Sequence, residues 1–444
     1  MTRPISKRCL QLSKKTCEAG WTDRPVCGIA PNMEQFVWNS HSVVTGPNGP
    51  VSRPDPISQA NVVLIPAQTA TACLTLAAAT FLGQSEFCIS GPTPHKDLIR
   101  ETLSESGSAG FFQCLSSGSS GRPKRMRRSH ASWTKSFHVN ARFWGITRRD
   151  SYAVLGALSH SLALYSCLEG LYLGADLLLL SDLRPDRQAI QIEKKDASIL
   201  YATPTQLRQL HTYAARPLPS LRKVIIGGAS LDPATRNLAE RLCPNAEILE
   251  FYGAAETSFI SLSDSQTPAG SVGRAYPDVE ISVRGFDGAP LARNMQGELW
   301  VRSPYLFAGY CDNSAPAASH TPEWISVGEV GQIDQAGFLF LTGRRSRMFT
   351  VADQNIFPEQ IESWFQARGV DPVAVLQQRD PQLGNKAVLV TTGQHYSTDQ
   401  LKALSRDLPM HAKPRSFITV DSWPRLASGK TDLQALAAQL GTTT

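Results

Sequence analysis

From Asn61 onward, short apolar runs alternate with amphipathic stretches. NVVLIPA over 61–67 predicts a buried strand, and TACLTLAAATFLG over 71–83 predicts an Ala/Leu-rich helix closed by Gly83. HKDLIRETLSES over 95–106 has a helical pattern, and the run beginning GFFQCLS at Gly110 predicts a strand leading into a glycine-rich turn. Apolar runs at 152–157, 198–202 and 223–227 are separated by helix-like segments. Asp232 stands as N-cap and Pro233 as the first helical residue before ATRNLAERL. This alternation predicts an α/β layered domain. Beyond Gly270 the texture shifts: VEISVRG, GELWVRS and GFLFLTG are short alternating strands with glycine turns, which predicts a β-rich subdomain. After Gly343 comes a compact tail, with a helix at FPEQIESWFQARG entered through Pro358, a strand at AVLVTTG and a helix at STDQLKALSRDL. A boundary is expected near 343–347. The first 60 residues read as irregular, with Gly46, Gly49, Pro50, Pro54 and Pro56 marking a loop.

Composition narrows the class. With 42% hydrophobic and 18% charged residues in 444, the chain has a globular balance, which excludes disordered, collagenous and coiled-coil proteins. A net charge of +6, from 44 basic and 38 acidic residues, is too mild to imply a nucleic-acid partner. The nine cysteines are odd in number, with no C-x-x-C pair and no zinc spacing, so reduced thiols in a cytoplasmic protein are expected. No apolar signal core follows the basic residues Lys7, Arg8, Lys14 and Lys15. The most apolar stretch, Ala157 to Leu180, is broken by His160, Glu169 and Asp176, so it reads as buried core and no membrane span is expected.

Several stretches carry residues suited to nucleotide chemistry. Ser116-Ser117-Gly118-Ser119-Ser120-Gly121-Arg122-Pro123-Lys124 reads as a flexible linker or as a phosphate cradle of glycine backbone, hydroxyl donors and a lysine. The apolar strand before it favours the cradle. It is not a Walker loop, because Pro123 stands where that motif needs glycine. In Phe251-Tyr252-Gly253-Ala254-Ala255-Glu256-Thr257, the lone carboxylate in a small-residue turn suits a Mg²⁺ ion bridging phosphates, or is a solvated strand-end residue. Gly227-Gly228-Ala229-Ser230 reads as a βα turn. His160 by itself reads as a structural or solvated histidine, and Lys430 as an exposed lysine after a glycine turn. RPKRMRR at 122–128 also admits a nucleic-acid surface.

In this order and at these distances, the motifs resemble those of the adenylate-forming superfamily: acyl- and aryl-CoA synthetases, adenylation domains of peptide synthetases, and luciferases. Residues 116–124 match its phosphate loop, [ST]-S-G-[ST]-[ST]-G-x-P-K, throughout. Residues 252–257 resemble Y-G-x-[TS]-E-[TS], 227–230 resemble G-G-A-P, and Gly343-Arg344 matches the G-R pair. The 297–300 and 305–310 segments resemble G-E-[IL]-x-[VI] and G-Y and are assigned a structural role. IFPEQIE at 356–362 and PRLASGK at 424–430 resemble the C-terminal motifs. The likeness covers residues 60–440, with 1–60 atypical and shortened. Departures are Ala255 for a hydroxyl residue, Glu329 for Asp, Ser346 for the hinge Asp or Lys, Asp353 for Gly and Gln360 for Glu.

The resemblance implies an α/β fold with a large layered αβαβα N-terminal domain (1–343) containing a β-rich subdomain. A small, mobile α+β C-terminal domain (344–444) would carry Lys430. It implies that Ser116, Ser117, Gly118, Ser119, Ser120, Gly121 and Lys124 cradle the phosphates of ATP and that Tyr252 stacks on adenine. Gly228, Ala229, Ser230, Gly253, Ala254 and Ala255 would line the nucleotide pocket, Glu329 and Arg344 would reach the ribose, and Glu256 would hold Mg²⁺. Ser346 is the expected hinge, Lys430 the catalytic lysine, and His160 a group beside the acyl pocket. The expected reaction is carboxylic acid adenylation with pyrophosphate release, then thioester formation with CoA or the phosphopantetheine arm of an acyl or aryl carrier protein. The segment ALSHSLALYSCLEG offers no Asp for an α-amine before Glu169, so an aryl or fatty acid is expected and not an amino acid. Two alternatives stand beside this: an amine acceptor, and a degenerate nucleotide-binding scaffold. No nucleic-acid partner is expected.

Overall fold

The computed structural model describes residues 34–66, 68–91, 99–102, 105–116, 124–311, 321, 323–393, 396–425 and 431–442. Its largest sheet has nine strands. At its centre Lys223–Ile226, Ile199–Ala202, Ser151–Val154 and Asp176–Leu179 run parallel. Glu247–Ala254 extends it in parallel and Ser258–Ser263 returns antiparallel. The central strands are apolar runs because parallel strands bury both faces. A second sheet of five strands joins Val63–Pro66, Phe87–Ser90 and Phe111–Ser116 in parallel. Lys124–Ser129 and the short strand Gly309–Tyr310 follow antiparallel.

Helix Ser161–Leu173 touches strands of both sheets, and helix Ala131–Trp144 packs beside it. Sandwiched in this way, Ser161–Leu173 is buried on nearly every side, which explains why its segment is apolar all round. Among the described residues no helix is long and apolar enough to cross a membrane. Helices Pro185–Lys194, Pro204–Tyr213 and Pro233–Leu242 set Ile192, Leu207, Leu210 and Leu242 against Leu200, Val224 and Ile226 of the nine-stranded sheet. Each begins with proline in its first turn, and Asp232 accepts from the backbone of Thr235 as N-cap.

The β-rich segment is a four-stranded sheet of Glu280–Arg284, Gly297–Arg302, Ile325–Ile333 and Leu339–Arg344. After it, Val373–Asp380, Gly384–Thr392 and Ser416–Val420 form a three-stranded sheet. Helix Pro358–Gln366 packs on it through Ile361 and Phe365, and helix Leu433–Leu440 through Leu436.

Two readings of the sequence need correction. The region before residue 60 contains a hairpin, Val44–Gly46 with Gly49–Val51, that joins the nine-stranded sheet beside Asp176–Leu179. Gly49 takes φ +121° at its turn, and Pro50 is tolerated because its strand lies at the sheet edge. The basic run over 122–128 does not present a charged surface where it is described. Arg125 and Arg128 are buried, and Arg127 pairs with the buried Glu86 at 2.8 Å. Arg125 and Arg128 lie on opposite faces of the strand Lys124–Ser129, and both faces are covered there. Most of the helix expected over 95–106 lies outside the described residues.

A buried carboxyl ties the helical layer to the large sheet. Glu169 accepts from Tyr201 Oη at 2.6 Å, Asn140 Nδ2 at 2.8 Å and Tyr152 Oη at 3.0 Å. Burial pushes it from 4.5 up to about 7, with the donated hydrogen bonds opposing the rise. A carboxyl raised on folding favours the fold while protonated, and that contribution fades as pH rises through the folded value. Glu169→Gln keeps the shape without the charge. The stability of wild type relative to this variant is therefore expected to fall between about pH 4.5 and 7 in denaturant titrations, and a flat difference would contradict this.

Candidate active site

The strands Phe111–Ser116 and Lys124–Ser129 pair so that Ser116 faces Lys124, which brings together both ends of the glycine-rich segment. Ser117, Gly118, Ser119, Ser120 and Gly121 lie outside the described residues, as does Lys430. The lysine segment is also tied at its ends, where Arg425 bridges Thr431 and the backbone amide of Asp432 donates to the Pro424 carbonyl at 3.0 Å.

The strand Glu247–Ala254 reverses into Ser258–Ser263 through the turn that carries Glu256. A Cβ at Gly253 would lie 2.0 Å from the Ser258 carbonyl oxygen, so only glycine fits that approach. Thr257 closes the turn, its hydroxyl accepting from the Ala254 amide at 3.2 Å. Arg128 supports it from below. This fully buried guanidinium donates to the carbonyls of Ala255 and Tyr305 and, at 2.6 Å, to Ser258 Oγ. Burial pushes Arg128 down to about 10, against the nearby Cys114, Glu256 and Tyr165.

Around Glu256 the arrangement is specific. Its carbonyl accepts from the Phe307 amide at 2.8 Å, and its Oε1 accepts from Tyr310 Oη at 2.7 Å. The Lys124 ammonium stands over the Tyr310 ring, 5.4 Å from its centroid. No second hydrogen bond reaches the Glu256 carboxylate among the described residues. The described residues hold no cluster of three or more His, Cys, Asp or Glu suited to a metal. A single carboxylate with one oxygen open fits Mg²⁺, which takes one or two protein carboxylates and completes its shell with phosphates and water.

Tyr252, Glu256, Glu329 and Arg344 share one neighbourhood. Burial pushes the Tyr252 phenol well up, Glu329 and Glu256 adding to the rise and Arg344 opposing it. Glu329 faces Arg344 across the strands Ile325–Ile333 and Leu339–Arg344, and Arg344 Nε donates to its carboxylate at 3.1 Å. The two residues expected at the ribose thus pair with each other. The Tyr252 hydroxyl is buried without a hydrogen-bond partner among the described residues.

At the end of strand Lys223–Ile226, a Cβ on Gly227 would strike the Phe251 ring at 2.3 Å, and Gly228 takes φ +83°. Ala229 and Ser230 follow, exposed. His160 is the N-cap position of the central helix, makes no side-chain capping bond, and is held below the usual imidazole value by partial burial. The helix that His160 begins packs against the strand Phe111–Ser116, which enters the glycine-rich segment.

Ser346 sits exposed in a single turn, Arg345–Arg347. Arg345 reaches Glu298 of the β-rich sheet at 2.7 Å, and Arg347 reaches Glu362 of the following helix at 2.7 Å. Asp353 takes φ +63°, the left-handed conformation of the glycine it replaces in the family motif. The sequence missed two residues of the cluster. Arg128 read as surface charge and Tyr310 as a structural strand residue, and only the pairing of Gly309–Tyr310 with Lys124–Ser129 reveals their place.

A layered α/β fold with this cluster along one side of two sheets is the architecture of adenylate-forming enzymes. Residues 65–311 match the AMP-binding enzyme family, and the chain belongs to it. It is 32% identical over 325 residues to an uncharacterized acyl-CoA ligase, YhfT, of Bacillus subtilis (strain 168), a match that covers 72% of this chain and 66% of the relative. The chain thus spans about two thirds of that relative's length. Its fold is similar to that of o-succinylbenzoate CoA synthetase (MenE) from Bacillus subtilis in complex with the acyl-adenylate intermediate OSB-AMP. The TM-score is 0.74 at 21% identity, covering 86% of this chain and 88% of the other. The fold of the amide bond synthetase McbA from Marinactinospora thermotolerans is also similar, with a TM-score of 0.72 at 23% identity over 90% and 96% of the two chains.

Because the Tyr252 hydroxyl is buried and unpartnered, Tyr252→Phe removes a desolvation cost and keeps the ring. The variant is expected to be at least as stable as wild type in urea unfolding, whereas Tyr252→Ala loses about 3 kcal/mol or more. A Phe variant less stable by more than about 1 kcal/mol would show that the hydroxyl is bonded.

Proposed function

We propose that the protein activates a carboxylic acid with ATP and passes the acyl group to an acceptor. The reading is carried by one observation: Tyr252, Glu256, Glu329 and Arg344, from three separate chain segments, lie together, with Lys124 joined to them through Tyr310. In the first step a carboxylate oxygen forms a bond to the α-phosphorus, the bond to the β-phosphate oxygen breaks, and pyrophosphate leaves. Tyr252 stacks on adenine, Glu329 and Arg344 separate to take the ribose hydroxyls, and Ser116 to Gly121 with Lys124 cradle the phosphates. Glu256 would hold Mg²⁺, which supplies charge neutralisation on the phosphates when bound. Lys430, brought in from the C-terminal segment, neutralises the charge that develops between nucleophile and α-phosphate. His160 stands at the acyl side.

The domain division follows from this chemistry. Residues 1–343 carry the nucleotide site, and 344–444 form the small domain that turns at Ser346 to exchange Lys430 for the acceptor. The acceptor is a thiol, CoA or a carrier-borne phosphopantetheine, and the acid is an aryl or fatty acid. The printed functions of relatives, acyl-CoA and o-succinylbenzoate-CoA ligation, support this choice. The exposed Asp353 at a glycine position, with an amide bond synthetase among the similar folds, favours an amine acceptor as the second reading. The six described cysteines are unpaired, which agrees with a reducing cytoplasmic location.

A panel of aryl and fatty acids tested for acid-dependent exchange of pyrophosphate into ATP is expected to identify at least one substrate. Absence of exchange across the panel would leave the scaffold reading. With that acid, CoA, a pantetheinylated carrier and a simple amine then separate the acceptors. Lys430→Ala is expected to lower adenylate formation by about 10²–10³-fold with nucleotide binding retained. Equal adenylation rates in variant and wild type would remove Lys430 from the chemistry.

A further inference from the structure

Tyr310 lies on a two-residue strand at the edge of the five-stranded sheet, opposite Met126 and two residues along the ladder from Lys124. The backbone fixes it on both sides: the Ala308 amide donates to the Arg127 carbonyl at 2.8 Å and the Cys311 amide to the Arg125 carbonyl at 2.9 Å. Its ring packs edge-on against Phe307, centroids 5.0 Å apart, and Phe307 in turn donates its amide to the Glu256 carbonyl. From this fixed position the hydroxyl donates to one carboxylate oxygen of Glu256 at 2.7 Å, and the ring face receives the Lys124 ammonium at 5.4 Å.

We propose that Tyr310 is a positioning residue, one that orients the Glu256 carboxylate for the metal–nucleotide complex and sets its spacing from Lys124. A glutamate on a short turn has three free torsions, and a metal ligand must be held in one rotamer. Donation from a rigid phenol to one oxygen leaves the other to face a hard cation, the role that outer hydrogen bonds play for ligating carboxylates generally. The aromatic ring keeps the lysine close without neutralising it, because its face attracts a cation but carries no net charge. Cation at Glu256 and ammonium at Lys124 then meet the same phosphate chain from two sides. This inference rests on the reading of Glu256 as the Mg²⁺ ligand.

Tyr310→Phe removes the hydroxyl and keeps the ring, the Phe307 contact and the lysine seat. The test is equilibrium binding of ATP, without acid, as Mg²⁺ or Mn²⁺ is titrated. The half-saturating metal concentration is expected to rise about 10- to 100-fold, as loss of a hydrogen-bonding partner of a ligating carboxylate generally does. Metal-free ATP binding and the urea midpoint are expected to stay unchanged. In a Glu256→Gln background the same substitution should add nothing, because Tyr310 acts only through that carboxylate. An unchanged metal curve in Tyr310→Phe, or an equal shift in the Glu256→Gln background, overturns the positioning role and leaves the proposed function standing. Metal-independent ATP binding by the wild-type protein overturns both.

Discussion

A single guanidinium holds the candidate site together. Arg128 is completely buried, no carboxylate among the described residues hydrogen-bonds it, and it donates to the carbonyls of Ala255 and Tyr305 and the hydroxyls of Ser258 and Ser132. A buried charge is costly unless it is well hydrogen-bonded, and four of the five guanidinium N–H groups of Arg128 find acceptors, which fixes those four acceptors with respect to one another. They belong to the turn carrying Glu256, the loop before Tyr310 and the start of the helix Ala131–Trp144. The strand bearing Arg128 begins at Lys124, so one side chain sets the five-stranded sheet against the reversal at the end of the nine-stranded one.

Around that anchor, the polar groups fall into two kinds. Some are satisfied within the protein. Glu86 takes Arg127, Gln113 and the Ser108 amide, and Glu169 takes two tyrosines and an asparagine. Among the described residues, others are left with capacity toward a ligand: the second oxygen of Glu256, the buried hydroxyl of Tyr252, and the half-exposed side chain of Arg344, which meets Glu329. Buried polar atoms in a folded protein are paired as a rule, so open capacity at three residues of one cluster is consistent with a candidate binding surface.

The turn Arg345–Arg347 has a matching asymmetry. Arg345 bonds Glu298 with half its side chain exposed, while Arg347 is well buried and meets both Glu359 and Glu362. Both links nevertheless end on largely buried carboxylates, the Glu298 side chain being 6% exposed and that of Glu362 15%, so the turn is tied to the β-rich sheet as well as to the following helix.

Much of the fold was legible from the sequence because local chemistry determines it. Short apolar runs of four or five residues between turns read as strands buried on both faces, Asp232-Pro233 as a helix start, and Gly253 and Gly228 occupy places where a side chain has no room or the backbone turns left-handed. The candidate site residues stood out as motifs for the same reason: each short segment carries its own backbone geometry. What the sequence did not reveal depends on pairing across large separations. The hairpin at 44–51 gains its strand character from Asp176–Leu179. Arg128 reads as one more charge in a basic run until the sheet turns it inward. Tyr310 reads as a strand residue until register places its hydroxyl on Glu256, 54 positions away. Residue type and spacing determined which groups are present and how the nearby backbone bends. Only tertiary structure decided which partner each charge or hydroxyl meets, because that choice is fixed by the register of distant strands and by the absence of water between them.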